Sequence, residues 1–77
     1  MNNENPESLL PHINKALKIR EDWWYYEVKA DVLLKLNRLE EARQTIQQAI
    51  NFVTKVKPVD WELIVKQFQE KLLTIKT

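Results

Sequence analysis

Residues 23–50 read WWYYEVKADVLLKLNRLEEARQTIQQAI. From Leu39 onward the apolar residues Leu39, Ala42, Ile46, Ala49, Ile50 and Val53 recur at steps of three and four, the spacing that puts them on one side of an α-helix. A helix over 39–54 is expected, with Glu40, Glu41, Arg43, Gln44, Gln47 and Gln48 facing water. Upstream, Tyr26, Ala30 and Leu33 share one helical face, while Trp24, Val28 and Leu34 spread to either side of it. A helix over 23–36 should therefore be packed on two sides. Ala30 is the smallest side chain on its main face and lets a neighbour approach closely. Between the two helices Asn37 stands where a left-handed residue ends a helix, and asparagine is the best substitute for glycine at such a place. The pair should fold back on itself at Leu36-Asn37-Arg38.

Outward from this hairpin, Leu9, Ile13, Ala16 and Leu17 fall at helical spacing, giving a helix over 9–20 capped by Ser8. Pro11 then lies in the first turn, where its missing N–H would have no intrahelical partner in any case. Residues 1–8, rich in Asn and Glu, read as a flexible lead. Asp22 occupies the N-cap position of the 23–36 helix. Towards the C-terminus Lys55-Val56-Lys57-Pro58-Val59 interrupts the periodicity, and Asp60 is placed to cap a helix over 61–76. In that helix Trp61, Ile64, Val65, Phe68, Leu72 and Ile75 share one side, opposite Glu62, Lys66, Gln67, Glu70 and Lys71.

Composition narrows the function classes. The chain has 77 residues, 44% hydrophobic and 30% charged, enough apolar material for one small core and no room for a second domain. Glycine is absent, where average usage would give roughly five, which disfavours phosphate-cradling loops and nucleotide fingerprints. Cysteine is absent too, which removes disulfides, thiolate zinc sites and cysteine nucleophiles. The polar start MNNENPES lacks the basic-then-apolar pattern of an export signal, and no window is apolar enough to span a membrane. A cytoplasmic chain with no membrane partner is expected. With a net charge of +1 and Lys55, Lys57, Lys66 and Lys71 interleaved with Asp60, Glu62 and Glu70, no nucleic-acid partner is expected either.

The hairpin resembles the tetratricopeptide repeat (TPR), a pair of antiparallel helices with small and large apolar residues at fixed places over 34 residues. Tyr26 matches the family's early aromatic position, Ala30 its small residue and Leu33 the large one after it; Asn37 stands at the turn glycine. In the second helix Leu39, Ala42, Ile46 and Ala49 match the large, small, large and small positions. Lys29 departs from the usual leucine and Thr54 from the closing proline. Residues 9–20 resemble the end of a preceding repeat, with Ala16 lying 33 positions before Ala49, and 60–77 a capping helix. The resemblance implies an all-α, right-handed helix-hairpin repeat: half a repeat at 9–20, a central repeat at 23–54 and a terminal helix. A generic four-helix bundle is the alternative.

No residue pattern points to catalysis. His12 is the only histidine and has no acidic or cysteine partner at metal-ligand spacing. The lone serine, Ser8, reads as a cap, and the adjacent Glu40 and Glu41 sit where they favour a helix N-terminus. A non-enzyme without cofactor or metal is expected. The unusual feature is the run Trp23-Trp24-Tyr25-Tyr26, four aromatics that span a full helical turn and cannot all face one core. Trp23 and Tyr26 should pack inward. By the resemblance, the ligand-facing side of the first repeat helix carries Trp24, Glu27, Asp31, Leu34 and Lys35. Such a face suits a peptide or partner helix with apolar anchors and basic residues; Glu27 and Asp31 would repel the acidic tails that lysine-rich members of the family bind. The alternative is a structural or oligomerisation domain that forms a homodimer or belongs to a longer array.

Overall fold

A computed structural model describes residues 6–75. Among them the chain is all-helical and contains no strand. One 3-10 turn, Pro6–Leu9, leads into α1 (Leu10–Ile19), and α2 (Trp23–Lys35), α3 (Leu39–Val56) and α4 (Trp61–Thr74) follow. All four expected helices are present, with shifted ends. The first begins later than expected because Pro6–Leu9 is already wound as a 3-10 turn, so Leu9 with helical dihedrals, not Ser8, occupies the N-cap position. Pro11 is the second residue of α1, inside the first turn as its chemistry requires. Of the lead over 1–8, residues 6–8 belong to the 3-10 turn; residues 1–5 and 76–77 lie outside the described residues.

The hairpin turn closes without glycine. Asn37 adopts φ 63°, the Arg38 N–H donates to the Leu33 carbonyl at 2.9 Å and the Asn37 N–H to the Leu34 carbonyl at 3.0 Å. These two bonds satisfy carbonyls that the end of α2 would otherwise leave unpaired. The third helix runs two residues beyond the expected 54. It stops at Lys57, which takes a left-handed φ of 54° and donates its N–H to the Val53 carbonyl at 2.7 Å. Pro58 disfavours helical dihedrals at Lys57, so the stop falls there. Asp22 and Asp60 hold the N-cap positions, but neither side chain makes a capping hydrogen bond. Asp60 is instead left-handed, φ 62°, and serves α4 through its backbone, its carbonyl accepting the Ile64 N–H at 3.1 Å.

Packing centres on α2. Tyr26 and Ala30 of α2 meet Ile46, Ala49 and Val53 of α3 and Phe68 of α4 in one buried cluster. Val32 and Leu33 meet Leu10 and Ile13 of α1 and Ala42 of α3 in a second. Ala30, Ala42 and Ala49 are completely buried; three methyl-sized side chains along the seam allow the two backbones their close approach. Thr45 is the one buried polar residue described, and its hydroxyl donates to the Glu41 carbonyl one turn back at 2.9 Å, so it enters the core with its polar atom satisfied. Trp61, Ile64, Val65 and Leu72 of α4, with Ile75 just past its end, pack against the first cluster. Thus α3 backs α2, α1 covers one edge of it, and α4 reaches the other edge through side chains.

Candidate functional site

Helical geometry decides which α2 side chains remain available. Tyr26, Ala30 and Leu33 point back into the seam with α3, and at 100° per residue the opposite side is held by Trp24, Asp31 and Lys35. These three are exposed, Trp24 by 57%. The run of four aromatics divides as its geometry demands. Trp23 meets Phe68 edge-on at 6.5 Å between ring centroids, and Tyr26 meets Phe52 at 6.0 Å. Trp24 stands outside, edge-on to Trp23 at 6.1 Å.

Of the five residues expected to share one ligand face, Trp24, Asp31 and Lys35 lie on the exposed side of α2, while Glu27 and Leu34 are half-buried beside it. Trp24 turns towards α1 and forms, with Tyr25 and Val28 of α2 and His12, Ile13 and Ala16 of α1, the wall of a groove of about 260 Å³. Glu27 turns to the other edge, where it borders a small recess with Trp23, Ile64, Gln67, Phe68 and Lys71. Asp31 accepts a hydrogen bond from Lys71 Nζ at 2.7 Å. Leu34 is half-buried against the cluster of Leu10, Ile13, Val32, Leu33 and Ala42, and Lys35 is exposed. The face is therefore cut lengthwise. Lys71, read from sequence as plain solvated surface of α4, is the residue that reaches across to the acidic side of α2.

The groove's α1 wall escaped the sequence reading. In the sequence His12 lacks a partner at metal-ligand spacing and Ile13 and Ala16 fall at helical spacing, and neither pattern shows that they border Trp24. The available signal was the composition of LPHINKALKIR, residues 10–20, which has Lys15, Lys18 and Arg20 and no acidic side chain. Among the described residues no group of three or more His, Cys, Asp or Glu could hold a metal ion, and no helix is long and apolar enough to cross a membrane.

A larger recess, about 380 Å³, opens on the other side of the hairpin between Glu21, Tyr26, Gln48, Asn51, Phe52, Lys55 and Val56. Its one buried titratable group is Tyr26. Burial first, then the hydrogen bond its hydroxyl donates to Glu21 and the negative charge there, push its pKa up to about 12. A phenol held protonated in this way is a poor proton donor or nucleophile near neutrality. At the turn, Arg38 donates to Glu41 through Nε and Nη2, the latter at 3.0 Å, and this pairing lowers the Glu41 carboxyl and raises the Arg38 guanidinium from their ordinary values. The pair is exposed and braces the start of α3.

No protein-family model, curated protein or solved structure matches the chain at a significant level.

Proposed function

We propose that the chain is a non-catalytic protein-interaction module that receives a peptide or partner helix in the shallow groove between α1 and α2, with Trp24 as anchor. A single observation carries this reading: a tryptophan left 57% exposed beside an apolar trough formed by Ile13, Ala16 and Val28. Large aromatic side chains are costly to leave in water and dominate binding when a partner covers them. The TPR-like arrangement belongs to the same proposal. It is supported by the fully buried alanines 30, 42 and 49, by left-handed Asn37 at the turn, and by α4 lying across α3 with side-chain reach to α2, as a terminal helix would.

A peptide library displayed against the whole chain tests the reading. Wild type should enrich binders, Trp24→Ala should weaken the enriched peptides about tenfold or more, and Leu73→Ala, at a residue on α4 that is 83% exposed, should leave them unchanged. Circular dichroism checks that both variants stay folded. Enriched peptides indifferent to Trp24 would sink the proposal.

The second reading, a self-associating or array-forming domain, is favoured by Leu63 and Leu73, which are 55% and 83% exposed on α4. Light scattering across concentration separates the two, since only the second gives a mass that grows with concentration and falls on substitution of those leucines.

A further inference from the structure

Beyond the groove reading, we infer that the recess between Glu21, Tyr26 and α3 is a second binding site, one that takes a small zwitterion with an aromatic body, of which an aromatic α-amino acid is the simplest. Its volume of about 380 Å³ falls in the range of small-molecule sites, roughly 300–1,000 Å³. The floor is aromatic. Tyr26 and Phe52 meet there at 6.0 Å between centroids with their rings inclined by 49°, and Val56 borders them. Such a surface takes a flat apolar group that is costly to leave in water.

The lining carries both signs of charge, one on each side. From the α1/α2 connection Glu21 presents a carboxylate that is held in place, because its Oε2 accepts the hydroxyl of buried Tyr26; the second oxygen remains an acceptor. From α3 come Gln48, Asn51 and Lys55, at steps of three and four and so on one side of the helix. The Asn51 carbonyl oxygen accepts from the Gln47 amide at 3.4 Å, which leaves the Asn51 NH2 as the group to donate, and Lys55 Nζ is a donor only. The α3 side therefore offers donors and a positive charge, and the Glu21 side an acceptor and a negative one. Glu21 and Lys55 border the same recess but do not pair with each other; the ion pairs among the described residues are Arg38–Glu41 and Lys71–Asp31. A ligand of a single charge would meet one favourable and one unfavourable partner. A zwitterion meets two favourable ones, its ammonium at Glu21 and its carboxylate at Lys55 and Asn51. The raised pKa of Tyr26 suits this arrangement, since the protonated phenol keeps the floor uncharged and its bond to Glu21 intact.

Nuclear magnetic resonance titration of the full chain with L-phenylalanine tests the site. The amide signals of Gln48, Asn51, Phe52 and Lys55 should shift together and saturate with a Kd on the order of 1 mM, weak because the recess is open to water. Phenylpropionate, which lacks the ammonium, and phenethylamine, which lacks the carboxylate, should each bind about fivefold more weakly or worse. Glu21→Gln keeps an acceptor for the Tyr26 hydroxyl and should erase the advantage of phenylalanine over phenylpropionate. Lys55→Gln should erase its advantage over phenethylamine. The spectra of both variants report directly that they stay folded. Trp24→Ala, in the separate α1/α2 groove, should leave phenylalanine binding unchanged, so the two sites stand or fall independently. The proposal is overturned by the absence of saturable shifts at the four α3 residues, by equal binding of the three ligands to the wild type, by a preference that survives both substitutions, or by loss of binding in Trp24→Ala.

Discussion

At the scale of single residues, three alanines and one tyrosine carry the most specific consequences. Ala30, Ala42 and Ala49 have no exposed surface, and the α2/α3 seam has no slack around them. Ala42→Leu should force the backbones apart and cost about 1–3 kcal/mol, seen as a lower melting temperature; an unchanged melt would mean the helices are not in the close contact described. Tyr26 gives a pH signature. Its proton leaves near pH 12 in the folded chain and near 10.0 in the ordinary phenol, so between these values the unfolded chain has already lost a proton that the folded one retains. Unfolding then releases a proton, and stability falls as pH rises from 10 to 12. The loss should be on the order of 1 kcal/mol, because solvent in the open recess screens the phenolate. Denaturant titrations of Tyr26→Phe across this window should lack that part of the decline, lysine titration being common to both proteins.

Whole elements show where energy is concentrated and why the fold was legible in advance. Period and punctuation are local properties, and they placed all four helices: the three-and-four spacing along α3, the Trp61–Ile75 stripe of α4, Asn37 at the turn and Pro58 at the break. What spacing could not supply was the exact ends and the caps. Ser8, Asp22 and Asp60 are good caps by residue type, yet one lies in a 3-10 turn and the other two make no capping bond. The attachment of α4 also required long-range information. Phe68 is the buried residue of this helix, 3% exposed, and it meets Trp23 across the domain. Phe68→Ala should therefore cost about 3–5 kcal/mol, a large share of the stability of so small a chain, and should speed amide exchange throughout α4. Lys71→Ala breaks a pair whose members are partly exposed and should cost below about 1 kcal/mol. Equal effects from the two variants would mean that the salt bridge, not the aromatic contact, fastens α4.

For the molecule as a whole, the candidate site was half legible. Trp24 could be singled out because four consecutive aromatics cannot share one core, but its neighbours depend on which helix lies along each edge of α2. A periodic pattern reports that a face exists; it does not report what covers it. The structure puts α4 over the acidic edge and α1, with Lys15 and no acid of its own, beside the tryptophan. This arrangement bears on self-association. Two copies meeting through their α1/α2 grooves would bury Trp24 against Trp24 but little other apolar surface, and small contacts of this kind give weak dimers. Sedimentation or light scattering at low salt should accordingly give the mass of one chain, 9.3 kDa, over a wide concentration range. Any self-association through the groove should appear only at the highest concentrations and disappear in Trp24→Ala. A stable dimer that Trp24→Ala abolishes would make a second copy, rather than a separate peptide or helix, the natural occupant of the groove.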